Sequence, residues 1–287
     1  MFPHLFYLVI LWREREIDIN KMKTNRFFTA ILSVALCVNF VSCGDDDNNI
    51  IDPENAVKRL TSISYKDQSG RGLFNIEYSG EQVSKITDTY KSSGYSHTWV
   101  SNYTYTTTGV TEKVDIQNSY GEDFSNITNY TLNDKGYVEK GEMDDGGIWS
   151  YTYSGDYMTS AILMFNGRKD VEDKYNFNDK GLMVSNDSFD TGIEYTDIPN
   201  LGGLFLAYTD DALGLDYCNL QYASLLGKAP KYLPKECIEY GNSSDDNVEL
   251  TFHYELDGDG YVKKVEVKNL DGSETWWTET YTYERVK

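Results

Sequence analysis

Cys43, which closes an apolar run and is followed at once by Gly44-Asp45-Asp46-Asp47, carries the plainest chemistry in this 287-residue chain. The run from Phe27 to Val41 lies behind Lys23 and Arg26 and ends at the small residue Ser42. A basic start, an apolar middle, a small residue and then cysteine make a secretory signal whose cleavage exposes a thiol for acylation. The run is shorter than the ~20 residues a spanning helix needs, and the polar block from Asp45 to Asn49 contains no helix cap. The segment is therefore expected to be removed, leaving Cys43 as a lipidated first residue and lipid as the sole membrane attachment.

Other side chains offer less. Trp99, Trp149, Trp276 and Trp277 are candidate ligand contacts, because indole planes stack on sugar rings and dominate interface energetics. Adjacent strand residues point to opposite faces, so Trp276 and Trp277 cannot both serve one core. Cys218 and Cys237 are candidates for a disulfide outside the cytoplasm. His97 and His253 could join them in a zinc site only without any close CxxC or HxxxH spacing, and no metal or cofactor is expected. Asp257-Gly258-Asp259-Gly260 opens like a calcium loop, but the twelfth position is Lys268 where a bidentate Glu is required, so a hairpin turn is expected instead. A Ser-His-Asp hydrolase would need an elbow such as GxSxG, which is absent. Paired carboxylates for glycoside hydrolysis are available in number, but nothing singles out a pair, so enzyme activity is left open with a non-enzyme favoured, and no catalytic residue is named.

The charge narrows the partners. With 26 Lys plus Arg against 46 Asp plus Glu, the chain carries −20, and removal of a leader richer in basic than acidic residues makes the remainder more acidic still. Such a body repels phosphate backbones and anionic lipid, so no nucleic acid and no direct membrane contact are expected. At 14% aromatic residues with 24 Tyr, it is a folded domain and not a disordered one.

What must position these groups is a repeat: two aromatics at period two, a polar turn with Gly, then apolar positions. It runs through Phe74 to Tyr78 with Gly80, Tyr103-Thr-Tyr105 with Gly109, Tyr130-Thr-Leu132 with Gly136, Tyr151-Thr-Tyr153 with Gly155, Tyr175-Asn-Phe177 with Gly181 and Phe252-His-Tyr254 with Gly260; Tyr281-Thr-Tyr283 closes the chain. Alternation puts the rings on one face, and the turns Asn133-Asp-Lys-Gly136, Asn178-Asp-Lys-Gly181 and Asp257-Gly-Asp-Gly260 have the residues hairpins favour. The expected fold is all-β: an antiparallel meander of repeated β-hairpins forming a curved sheet or partly open barrel. One irregular insert, 197–239, breaks the pattern with Pro199, Pro230 and Pro234, and Tyr222 to Gly227 reads as a short helix. The organisation is then 1–21 as upstream sequence from a misplaced start, 22–42 as lipoprotein signal peptide, 43–56 as acidic tether and 57–287 as hairpin domain.

The lipid box at Cys43-Gly44-Asp45-Asp46, the aromatic-turn-Gly hairpins, the segment Leu226-Gly-Lys-Ala-Pro-Lys-Tyr-Leu-Pro234 and the hairpin from Tyr254 to Val265 together resemble the Bacteroidota lipoproteins of domain-of-unknown-function family 4595, over roughly Val57 to Lys287. The resemblance implies a porin-like β architecture without an established activity, and an acidic export tag after the lipidated cysteine. It carries over no catalytic residue.

Three functions compete. A lipid-anchored protein of the outer membrane, at the cell surface or facing the periplasm, that binds a glycan, peptide or partner protein is favoured. A hydrolase with an unidentified carboxylate pair is the alternative. A pore comes last, since spanning strands need about 9 to 11 residues and an apolar outer band, whereas stretches such as Thr128 to Leu132 are short and polar at alternate positions.

Overall fold

The structure, a computed structural model, describes residues 58–121, 123–186, 192–206, 220–239 and 248–286. Cys43, the signal, the tether and Cys218 lie outside them. Sixteen strands follow one another: β1 Lys58–Asp67, β2 Gly70–Ser79, β3 Gln82–Ser92, β4 Ser96–Tyr105, β5 Gly109–Asn118, β6 Phe124–Leu132, β7 Val138–Met143 and β8 Gly147–Ser154. They continue as β9 Tyr157–Phe165, β10 Arg168–Phe177, β11 Met183–Asn186, β12 Gly192–Pro199, β13 Tyr232–Glu239, β14 Val248–Leu256, β15 Val262–Asn269 and β16 Thr275–Arg285.

Every ladder is antiparallel, and each strand pairs with its sequence neighbours except at one place. β1 also pairs with β16, so the order runs from β11 down to β1, on to β16 and down to β12. The two ends of that order approach each other, and the Tyr195 hydroxyl of β12 donates across the seam to the Met183 carbonyl of β11 at 2.9 Å. The result is a nearly closed barrel-like sheet of antiparallel strands, as the hairpin repeat predicts.

Turn chemistry explains the hairpins. Asn133 Oδ1 accepts from the amides of Lys135 and Tyr137 at 2.9 and 3.1 Å, Asn178 Oδ1 from Lys180 and Leu182 at 3.0 and 3.1 Å, and Asp257 Oδ1 from Asp259 and Tyr261 at 2.9 and 3.0 Å. Three copies of one side-chain-bonded turn end in a glycine at positive φ, 82° at Gly136, a conformation that costs other residues strain. Gly109 departs from the expected pattern, since it opens β5.

Alternation then decides what lies inside. On β6 Asn126, Thr128 and Tyr130 are buried while Ser125, Ile127, Asn129 and Thr131 are exposed; on β16 Glu279 and Tyr281 are buried while Thr280, Thr282 and Glu284 are exposed. The interior holds Ile63, Phe74, Ile86, Tyr103, Met158, Tyr175, Met183, Phe252 and Val265, all nearly inaccessible. A bilayer-spanning barrel has the reverse distribution, with an apolar band outside. The expectation of short strands is corrected: β6 spans nine residues and β16 eleven, because exposed Thr, Ser and Asn hide strands that pair along their full length.

Sixteen strands enclose more space than their own side chains fill. The insert supplies the rest. Its bounds contract to 200–231, since Asp197 to Pro199 belong to β12 and Tyr232 to Glu239 to β13. Leu204, Leu206, Leu220, Leu225 and Leu226 join the barrel core, and the Tyr222 ring meets Phe74 at 4.6 Å between centroids. Backbone bonds fix it to the hairpin turns at one end: Val138 N to Leu225 O and Lys228 N to Asp156 O, both 2.8 Å. Buried Asn200 ties the insert's two ends, donating to Leu204 O and Pro230 O and accepting from Leu204 N. The expected short helix at Tyr222 to Gly227 is a turn instead, closed by Ser224 N to Gln221 O and Leu225 N to Leu220 O, with Ser224 at φ 60°. Packing of its leucines into the barrel outweighs a marginal helix propensity.

Candidate functional site

At the end away from the insert's described residues, the inward face changes from aliphatic to aromatic and polar. On β1 the inward series continues from Ile63 to Tyr65 and Asp67, on β3 from Ile86 to Asp88 and Tyr90, and on β4 from Tyr103 through Ser101 and Trp99 to His97. β2 has no side chain at the matching positions, Gly70 and Gly72, and the rings of Tyr90 and Tyr65 lie over them. Trp277 of β16 stands beside Asp67 in the register.

The rings form a continuous ribbon. Trp277 stacks on Tyr65 at 5.2 Å and 7°, Tyr65 on Tyr90 at 6.2 Å and 12°, and Tyr90 on His97 at 5.6 Å and 25°. Tyr95 adds an edge contact to His97 at 5.7 Å and leads to Tyr120 at 5.4 Å. The rings from Trp277 to Tyr95 are half-buried, and Tyr120 at the end is 70% exposed. Centroid spacings of this size are those of attractive aromatic pairs.

Carboxylates brace the ribbon. Asp88 accepts from the Tyr65 hydroxyl at 2.9 Å on one oxygen and meets His97 Nε2 at 3.2 Å on the other. Asp67 accepts from Ser69 N and Oγ at 2.6 and 2.9 Å and from the Tyr90 hydroxyl at 3.3 Å. Burial, with the Asp88 charge behind it, holds the Tyr65 phenol far above its usual titration range, so it remains a donor. Deeper, Glu279 takes Trp277 Nε1 at 2.9 Å on one oxygen and the Tyr281 hydroxyl on the other, and Glu112 takes Tyr103 and Tyr130 hydroxyls at 2.8 and 2.9 Å. Burial pushes both glutamates up, Glu112 to about 7, against the opposing pull of these hydrogen bonds. In these four carboxyl groups both oxygens are engaged by the protein itself.

The tryptophans separate by place. Trp277 faces inward into the ribbon and Trp276 takes the other face of β16, both half-buried; Trp99 faces the interior on β4; Trp149 is 3% exposed and stacks on Tyr151 at 5.9 Å within the core. Cys237 is buried on β13. His253 lies on β14 opposite Glu266, far in sequence and register from His97. The acidic turn at Asp257 and Asp259 holds Lys58 Nζ at 2.6 and 2.5 Å, so an ammonium from β1 stands where a metal would. The ring ribbon itself escaped sequence reasoning, although Gly70-Arg71-Gly72 marked it: two glycines at period two inside a strand signal a close approach on one face.

No family model and no curated protein matches this chain. Among solved structures it is similar to a porin-like protein from Bacteroides uniformis, at 16% identity and a TM-score of 0.58, covering 78% of this chain and 98% of that one. A porin-like protein from Bacteroides vulgatus aligns at 13% identity and a TM-score of 0.29 over 80% of this chain and all of that one. The first likeness defines the class: an antiparallel, porin-like β-barrel fold.

Proposed function

We propose that this chain is a lipid-anchored cell-envelope protein of the family 4595 kind, acylated at Cys43 after removal of 22–42, and that its barrel is a non-catalytic binding module for a glycan. The observation that carries the reading is the ribbon from Trp277 through Tyr65, Tyr90 and His97 to Tyr95 and Tyr120, half-buried along its length and open to water at Tyr120. Flat rings offer sugar faces a stacking surface with little entropy to lose. The carboxylates behind them serve as acceptors that hold the rings, a use that argues against a hydrolytic role for Asp67 and Asp88. The porin-like fold of the Bacteroides uniformis neighbour supports an envelope setting, and the outward polar faces support a barrel surrounded by water.

Titration of the full chain with soluble mannan and xyloglucan, followed by tryptophan emission, tests this. Trp277 within the ribbon should report binding, and Tyr95→Ala or Tyr120→Ala should weaken it by about tenfold each. Equal affinity in both variants would remove the ribbon as the site.

A further inference from the structure

Three cations stand in line across neighbouring strands on the outer face. Lys66 of β1 is opposite Arg71 of β2, Arg71 is opposite Lys91 of β3, and Lys91 is opposite Ser96 of β4. All three are exposed. Like charges directly opposite on a ladder repel, and the sheet elsewhere answers lysines with carboxylates: Lys85 with Glu77 and Lys113 with Asp115, both at 2.7 Å. Among the described residues, Lys66, Arg71 and Lys91 make no ion pair. The parallel outward row, Ser64, Leu73, Thr89 and Thr98, holds no acid either. In a chain of −20 carboxylates are plentiful, so their exclusion belongs to this strip.

The two rows are walls. Between them Tyr65, Gly72, Tyr90 and His97 leave only backbone on the outside, because what side chains they have turn inward. The space over β2, β3 and β4 is a trough of about 380 Å³, with Arg71 and Lys91 on one wall and Leu73, Thr89 and Thr98 on the other. It crosses the strands at a right angle, so charges recur along it at the strand spacing of about 4.8 Å. The outer two cations are thus roughly 10 Å apart, too far to converge on a single small anion.

We infer that this trough binds a linear anionic polysaccharide. Its carboxylate or sulfate groups lie along Lys66, Arg71 and Lys91, and its hydroxyl and C–H edge along Thr89, Thr98 and Leu73. One sugar residue of an extended chain is comparable in length to the step from strand to strand. A nucleic acid strand would want outward rings for its bases, and the rings here face inward. An anionic bilayer is a plane that would also face the acidic surface on either side of the strip, whereas a single extended chain meets the strip alone. The site is on the opposite face of the sheet from the ring ribbon and does not depend on it.

Affinity electrophoresis of the full chain through gels carrying polygalacturonate, chondroitin sulfate or neutral dextran tests the inference, with inorganic phosphate as competitor and vesicles of equal phosphatidylglycerol and phosphatidylcholine as a separate arm. At least one of the two acidic polymers should retard the protein and dextran should not, with retardation falling steeply as salt rises. The triple variant Lys66→Gln, Arg71→Gln, Lys91→Gln should lose about tenfold or more in affinity while melting no lower than wild type, since it relieves repulsion. Tyr120→Ala should leave polyanion binding intact, which separates this site from the ribbon. No retardation by either polymer, full binding by the triple variant, displacement by phosphate at comparable concentration, or capture by the vesicles in place of the polymers would each overturn it.

Discussion

The Tyr65 ring occupies the place a side chain on Gly72 would take: a Cβ built there would lie 2.0 Å from Tyr65 Cζ. The same ring stacks on Trp277 and Tyr90 and donates to Asp88, so the missing side chain on β2 is what lets the ribbon cross that strand. Gly72→Ala should therefore cost about 1–3 kcal/mol by overpacking. Urea unfolding measures the cost, and a shift in Trp277 emission in the folded variant reports the displaced ring. An unchanged midpoint would mean that the ring is free to lift.

Glu112 gives the fold a pH dependence of defined sign. Its carboxyl, raised to about 7 by burial, holds a proton in the folded state at pH values where the unfolded chain, titrating near 4.5, has lost it. Stability from this group is full below the unfolded pKa, falls as pH climbs from there to about 7, and is level above. The total loss is on the order of 3 kcal/mol. Glu112→Gln keeps an acceptor for Tyr103 or Tyr130 without the charge. It should match wild type near pH 4 and exceed it at pH 8 in chemical denaturation.

Lys58 supplies the positive charge between the two carboxylates of the β14–β15 turn. Lys58→Met should lower stability by about 1 kcal/mol, since it leaves Asp257 and Asp259 facing each other across a partly exposed turn. The wild-type melting temperature should not respond to calcium or EDTA. A rise with calcium would restore the metal-loop reading of Asp257-Gly-Asp259.

At the other end of the chain, Cys43→Ala should abolish acylation, because no other thiol follows the signal directly. Metabolic labelling with palmitate checks this, and label retained in the variant would refute lipidation at that residue.

Local chemistry was legible and long-range chemistry was not. Asn133, Asn178 and Asp257 announce their turns because each bonds amides two and four residues on, which spacing alone reveals. The face of Trp277 relative to Trp276 followed from alternation. The closure of β1 on β16 did not: the pairing of Ile63 with Tyr281 joins residues more than two hundred positions apart, and no local pattern encodes it. The ribbon depends on such pairings, so its members appeared only as scattered aromatics. The insert misled for the opposite reason, its leucines having a helix-like local pattern whose outcome was settled by a lumen that needed filling.

The placement of β1 between β2 and β16 has a mechanical consequence. The strand that follows the proposed tether is not a sheet edge, so a pull on the chain before Lys58 shears two ladders at once instead of peeling one bond after another. The free margins of the sheet, β11 and β12, sit mid-chain and bear none of that load. Under the proposed lipidation at Cys43, the weakest seam lies where the mooring force does not reach.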